Sequence, residues 1–264
     1  MSTETDTPDV HAALADLVTR YPEGLRPSQV SDLARQVFHV STVRSLVPGG
    51  AVADIGGGMG IFSAGCAALG MDVTLIDDFS DPGNEQYGET PLDVHRSLGV
   101  KIECRDVIAD GLGAAPESLD IVTSFDSMEH WHASPKALFA EVMVSLRPGG
   151  WFLLGVPNCV NLRKRVTVPL GRGKWSEMST WYERPTFRGH VREPDVDDLQ
   201  YIARDMGLVD VRLMGRNWLG YANTRAWVRR LTPLVDRPLQ ARPSLCSDLY
   251  LLGRKADQHT RAQG

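Results

Sequence analysis

The sequence predicts an α/β fold: a doubly wound, mostly parallel sheet with helices on both faces and an inserted cap or lid. Three observations carry this. From Ala51 onward, short apolar runs alternate with helical segments, as crossover connections between parallel strands require. The first run ends in Gly56-Gly57-Gly58-Met59-Gly60, a glycine loop at a strand-to-helix turn. The alternation then breaks at residues 157–193, a stretch of roughly thirty residues without clear periodicity and longer than an ordinary connection.

The elements follow in order. Val10–Val18 reads as a short amphipathic helix, stopped at Tyr21-Pro22-Glu23-Gly24. Ser28–Leu46 carries Val30, Leu33, Val37, Val40, Val43 and Leu46 at spacings of three and four, one apolar stripe of a helix, and Pro48-Gly49-Gly50 ends it. Ala51–Ile55 is a buried strand and Ile61–Leu69 a small-residue helix packed close to the sheet. Asp72–Ile76, Val100–Cys104, Leu119–Ser124 and Trp151–Val156 read as strands, with helices at Thr90–Leu98 and Ser134–Leu146. Past the irregular segment, Pro194–Met206 is a helix, Leu208–Leu213 a strand, Trp218–Leu231 a basic amphipathic helix, and Ser247–Leu252 a last strand.

Composition sets the outer bounds. With 264 residues, 42% apolar and 23% charged, the chain is of ordinary globular make-up and large enough to fold on its own core. No apolar run is long enough to span a bilayer, and the polar start, Met1 to Asp9, lacks the apolar stretch of a signal peptide. The four cysteines, Cys66, Cys104, Cys159 and Cys246, match no zinc spacing and read as reduced thiols of a cytoplasmic protein. The net charge is −5, yet Val160 to Arg254 holds 17 Lys and Arg against 10 Asp and Glu. That asymmetry fits an anionic partner or a solvated basic face. A pI near 5.8 speaks against a nucleic-acid footprint.

The glycine loop narrows the chemistry. A dinucleotide loop needs G-x-G-x-x-G; counted from Gly56 the third glycine falls on Ile61, and from Gly58 on Ser63. A phosphate loop would need Gly-Lys-Ser/Thr, which is absent. Asp54 stands two residues before the first glycine, and a carboxylate there suits a cationic ligand without phosphates better than a pyrophosphate. In such sheets ligands bind beyond the C-terminal strand ends, so the loop, Asp77-Asp78, Asp106 and Phe125-Asp126 share one crevice.

These segments resemble the motifs of class I S-adenosylmethionine-dependent methyltransferases, whose fold is Rossmann-like. Val52 to Gly60 looks like the first motif, implying that Asp54, Gly56, Gly57 and Gly58 hold S-adenosyl-L-methionine. Gly57 stands where Cys or Ala is often found, and is expected not to harm binding. Thr74-Leu75-Ile76-Asp77-Asp78 is similar to the second motif, whose acid binds the ribose hydroxyls; the pattern points to Asp77, with Asp78 the neighbouring alternative. Cys104-Arg105-Asp106-Val107 is similar to the third, with Asp106 on the adenine amino group and the Val107 N–H at the ring. Asp120 to His130, with Phe125 at the cofactor, looks like the fourth-strand motif, and Leu146 to Leu154 resembles the turn before strand five. The resemblance covers residues 30 to 160 and is clearest to the broad ubiquinone- and menaquinone-biosynthesis-like branch. It divides the chain into a tail and short helix (1–27), a cofactor-binding core (28–156), an insertion or lid forming the acceptor site (157–193), the rest of the sheet with a basic helix (194–255), and a tail (256–264).

Methyl transfer to an alcohol needs a general base. His130 and His190 are the candidates, with Asp126 orienting a histidine or the substrate; His132 ranks below them, and His11, His39, His95 and His259 have no context that raises them. No spacing demands a metal, although Asp126, Glu129, His130 and His190 together hold suitable donor types. The distal segments Asn161 to Arg165, Gly189 to Arg192 and Pro243 to Asp248 resemble methyltransferases of glycan and lipid-glycan biosynthesis, which implies O-methylation of a sugar or glycan-linked, anionic acceptor; Trp175, Trp181 and Tyr182 would stack on sugar faces or form the core of the cap. The alternatives are a small-molecule acceptor such as a quinone, polyketide or other aromatic hydroxyl, and a non-catalytic cofactor-binding scaffold. The basic helix, with Arg225, Arg229 and Arg230 opposite Trp218, Tyr221 and Trp227, fits contact with an anionic membrane surface or, more commonly, packing on its own domain.

Overall fold

The computed structural model describes residues 7–81, 85–173, 178–223 and 225–257. Seven strands form one sheet: β1 (Ala51–Ile55), β2 (Asp72–Asp77), β3 (Lys101–Cys104), β4 (Leu119–Phe125), β5 (Leu146–Pro157), β6 (Val209–Arg216) and β7 (Asp248–Arg254). Their order is β3-β2-β1-β4-β5-β7-β6. The first five pair in parallel; β7 runs antiparallel to both of its neighbours. The order reverses between β1 and β4, and the crevice opens at their C-terminal ends.

The helices are α1 (Thr7–Val18), α2 (Arg26–Leu46), α3 (Ile61–Ala68), α4 (Thr90–Ser97), α5 (Val107–Asp110), α6 (Lys136–Ser145), α7 (Leu162–Thr167), α8 (Met178–Tyr182), α9 (Val196–Asp205), α10 (Trp218–Tyr221) and α11 (Ala226–Gln240). One face of the sheet packs on α1 to α4 through Leu14, Val40, Val43, Ile61 and Leu75. The other packs on α6 and α9 through Leu138, Phe139, Val142, Leu199 and Leu251. The sheet is therefore covered on both faces, which is why its central strands read as continuous apolar runs.

Four expectations differ from the structure. The α2 stripe is buried at Val37, Val40 and Val43, but Val30 is exposed, because in the first turns Gln29 takes the inward position. β5 begins at Leu146, not Trp151: Leu146 pairs with Leu119 and Trp151 with Ile121, so Arg147 to Gly150 form a bulge within the strand, with Gly149 at φ 80°. The helix expected over Trp218–Leu231 is two helices, α10 and α11. Within the irregular segment α7 and α8 are helical; Trp175 lies outside the described residues, and Trp181 and Tyr182 are exposed, so they are not the core of a cap.

His39, unremarkable in the sequence, fastens α2 to the sheet. It is fully buried and lies flat on Phe125, ring centroids 3.9 Å apart and 3° from parallel. Trp218 Nε1 donates to the Tyr250 hydroxyl at 2.7 Å, and that hydroxyl lies 2.8 Å from His39 Nε2. With one proton to give, Tyr250 donates onward to His39. Burial holds the His39 imidazole well below its ordinary pKa, with the Arg35 charge in the same direction, so it stays a neutral acceptor. Tyr250→Phe keeps the ring but orphans the Trp218 donor and the His39 acceptor; a loss of about 1–3 kcal/mol in unfolding free energy is expected. Urea denaturation checks it, and an unchanged midpoint would show the relay to be idle.

Candidate active site

The glycine loop is shaped by close approaches. A Cβ at Gly56 would fall 2.0 Å from Ser127 Oγ, and one at Gly57 would fall 2.1 Å from Asp54 Oδ2. Gly57 is thus a steric requirement of this chain, where the sequence suggested only tolerance. At Gly58, φ 57°, a Cβ would meet nothing within 4 Å, so this side of the loop faces open space.

Asp54, expected to favour a cationic ligand, turns inward beneath the loop. It is buried, and accepts from Ser63 Oγ at 2.7 Å and Thr123 Oγ1 at 3.0 Å. Burial pushes its carboxyl up to about 6. The side chain ties β1, α3 and β4 together beneath the loop and has no direct face for an ammonium group. Asp77, at the end of β2, accepts from Gly58 N at 2.9 Å and Phe79 N at 2.6 Å, one amide per oxygen, and each oxygen keeps acceptor capacity for a hydroxyl. Asp78 is turned elsewhere: its Oδ1 accepts from Ser80 N and its Oδ2 lies 3.5 Å from the Arg188 guanidinium. Asp106 caps α5 through one oxygen, accepting from Ile108 N and Ala109 N, and Val107 is buried beside it. The Phe125 ring is committed to His39 and, edge-on, to Phe62; what it offers a cofactor is backbone.

The β4 end gathers the titratable groups. Asp126 sits at φ 49° with its amide on the Gly155 carbonyl and its carboxylate paired to Arg35 of α2. Arg35 is also held by Asp32 at 2.7 Å. Among the described residues no hydrogen bond joins Asp126 to either histidine. Burial pushes the Asp126 carboxyl up, with Arg35 opposing. Glu129 is buried, one oxygen has no partner, and burial, aided by the Asp126 charge, pushes it up to about 8. It therefore carries its proton at neutral pH.

The end of the irregular segment returns as a strap over this region. Val191 N donates to the Glu129 carbonyl at 2.7 Å and Arg192 N at 3.3 Å. His130 Nδ1 lies 2.7 Å from the Arg188 carbonyl; a carbonyl only accepts, so Nδ1 carries the proton and Nε2 is left with its lone pair. Burial lowers the His130 pKa. His190 is 4.9 Å from His130, centroid to centroid, with perpendicular rings. Its Nδ1 lies 2.8 Å from Glu193 Oε1, and Lys164 of α7 pairs with the other oxygen. The Glu193 hydrogen bond raises His190 above the ordinary histidine value, and the same bond with Lys164 holds Glu193 at about 2. The imidazole is thus fixed in one tautomer with Nε2 available as a base. Glu129, His130 and His190 bring one donor atom each within 4.8 Å of one another, close enough to share a cation. Asp248, pushed up to about 6 by burial, completes the acidic wall from β7.

The sequence brought His130, His190 and Asp126 forward and missed Arg35, Arg188, Glu193 and Asp248. The signal for Glu193 was present, three residues after His190; nothing local marks Arg35, 91 residues from Asp126.

Comparison with known proteins places the family and the fold. A family described as a methyltransferase domain matches residues 10–213. The ubiquinone biosynthesis O-methyltransferase of Burkholderia thailandensis is 33% identical over 126 residues, 47% of this chain and 51% of that protein; that of Stutzerimonas stutzeri is 36% identical over 112 residues, 40% and 44%. The chain spans about half the length of these curated relatives. Among solved structures, Haemonchus contortus phosphoethanolamine N-methyltransferase 2 in complex with S-adenosyl-L-methionine superposes with a TM-score of 0.56 at 18% identity, over 83% of this chain and 52% of that one. The Burkholderia thailandensis 1,6-didemethyltoxoflavin-N1-methyltransferase gives 0.50 at 18%, over 95% and 91%. These likenesses speak to the fold.

The strap reaches Asp78 at the β2 end through the Arg188 guanidinium and Glu129 beyond β4 through its main chain, and β1, which leads into the glycine loop, lies between those strands in the sheet. Arg188→Ala is expected to raise the dissociation rate of S-adenosylmethionine severalfold in stopped-flow displacement. The fold should lose at most about 1 kcal/mol, because the ion pair is half exposed.

Proposed function

Because this chain belongs to the methyltransferase domain family, we propose that it transfers the methyl group of S-adenosyl-L-methionine to a hydroxyl of a small aromatic acceptor, with His190 as the general base. The carrying observation is the Glu193–His190 pair, held by the strap at the C-terminal end of β4. The acceptor oxygen attacks the methyl carbon as the carbon–sulfur bond breaks and its electron pair moves to sulfur. The acceptor proton passes to His190 Nε2, and Glu193 steadies the imidazolium. The products are an ether and S-adenosylhomocysteine. In-line placement supplies much of the acceleration, and the base adds about 10²–10⁴-fold.

In this reading Asp77 takes the ribose hydroxyls, Gly56, Gly57 and Gly58 let the donor approach, and Asp106 with Val107 bounds the adenine. Asp54 and Phe125 act by shaping the loop and the strand end. Asp126 acts through Arg35, and the buried acids around the site suit a cationic donor. The aromatic hydroxyl displaces the sugar or glycan-linked acceptor suggested by the distal motifs: the curated relatives are ubiquinone O-methyltransferases, and Trp181 and Tyr182 stand on the surface instead of lining a sugar site. Arg163 and Arg172 are likewise exposed, so an anionic acceptor gains no support from them.

Transfer from methyl-labelled donor across catechol, simple phenol, sugar and amine acceptors tests the class: catechol or phenol should be labelled, and labelling of sugars alone would overturn the aromatic reading. The base has its own test. The Glu193 bond raises His190, so the ascending limb of the kcat–pH profile is expected above the ordinary histidine value of about 6.5. Glu193→Gln leaves an acceptor oxygen but removes its charge, and the limb should move to lower pH while the plateau falls. A limb below 6.5 that Glu193→Gln leaves in place would assign the base to His130.

A further inference from the structure

α11 is amphipathic in the reverse sense for a helix packed on its own domain. Its buried positions are Thr232 and Asp236, one turn apart. Asp236 accepts from Asn217 Nδ2 at 2.7 Å, Tyr221 Oη at 3.3 Å and Gln240 Nε2 at 2.6 Å, so the helix is held to α10 and the end of β6 by a polar latch. The opposite stripe holds Trp227, Leu231, Leu234 and Val235, spaced i, i+4, i+7 and i+8, and these are 62%, 48%, 71% and 54% exposed. Single exposed apolar side chains are ordinary, but four on one stripe form a patch that calls for an occupant.

The charge around the stripe says which occupant. Arg230 and Arg237, seven residues apart, run along one edge, and Arg225 and Arg229 stand at the helix start; all four are exposed. Asp236 is the only acid in α11, and it is buried. The outward surface is therefore apolar and cationic with no anion on it. A second copy laid on this face about a two-fold axis would set arginines beside arginines. The described helices include none long and apolar enough to cross a membrane, and α11, about 22 Å long at 1.5 Å per residue, suits a position in the plane of an interface. α7 offers the same chemistry nearby: Leu162 and Val166 are exposed beside Arg163, and Arg165 bonds the Ser244 carbonyl in the turn that packs against α11.

We propose that α11 docks this protein on the surface of an anionic lipid bilayer, with Trp227, Leu231, Leu234 and Val235 in the interfacial apolar layer and Arg230 and Arg237 on the headgroup phosphates. β6 runs parallel to β5 and ends at the crevice side of the sheet, and α10 and α11 follow that end. Docking therefore presents the acceptor entrance to the bilayer.

Flotation of the whole chain with vesicles tests this. Binding is expected to vesicles of phosphatidylcholine mixed with phosphatidylglycerol, at least about tenfold weaker to phosphatidylcholine alone, and weaker again at high salt. The double variant Arg230→Gln/Arg237→Gln should weaken binding about tenfold or more, and Trp227→Ala/Leu234→Ala should abolish it, while both still bind S-adenosylmethionine as the parent does. No binding to anionic vesicles by the parent chain overturns the proposal. So does binding that survives both double variants, or a dimer in solution that Leu234→Glu dissolves.

Discussion

A single backbone carbonyl organises the site. The Glu129 C=O receives the amides of Val191 and Arg192, and the neighbouring His130 imidazole bonds the Arg188 carbonyl. These contacts bring the end of an irregular segment onto the loop after β4. Without them His190 would sit on a tether with no fixed place in the crevice. With them its ring stands perpendicular to His130 at 4.9 Å, and Glu193 and Lys164 set its tautomer from the far side. The strap's hold is mostly main-chain bonding, so its path depends little on which side chains it carries.

Carboxyl groups gather at the C-terminal strand ends, Asp54 and Glu129 buried and Asp126 and Asp248 partly exposed. Asp54, Asp126, Glu129 and Asp248 are all raised by burial, and Arg35 is the cation that reaches Asp126 from α2. Of these, Asp126 and Asp248 are the ones that ionise near the crevice, and a carboxylate there favours a positively charged partner. A sulfonium donor answers that demand where a pyrophosphate would not. The absent third glycine of a dinucleotide loop leads to the same conclusion from the sequence side.

Much of this was legible before the structure. The strands around the crevice are β-branched and apolar because they are buried on both faces, and their periodicity break at each glycine marks the turn that positions a ligand. The glycine loop and the place of His130 after the fourth strand could be read from spacing and strand ends, while the choice of Asp77 over Asp78 and the interest of His190 came from the family resemblance. What was hidden is what depends on distant partners. Asp54 reads as a ligand-facing acid until Ser63 and Thr123 are seen to take its oxygens. Arg35 lies on the polar face of α2 and acquires meaning only through Asp126. His39 looks like any helical histidine until Tyr250 and Phe125 close on it. The helix after β6 reads as one amphipathic run from Trp218 to Leu231 because Trp218, Tyr221 and Trp227 recur opposite Arg225, Arg229 and Arg230. Pattern gives the existence of an apolar stripe; only the fold says that Asp236, and not the stripe, faces inward.

In the proposed mechanism the strap delivers the base. Single-turnover transfer from methyl-labelled S-adenosylmethionine to a catechol, comparing the parent chain with His190→Ala, tests it most directly. The mechanism predicts a rate loss of about 10²-fold or more, with donor affinity unchanged and the label on oxygen. A His190→Ala variant that turns over at the parent rate would contradict it.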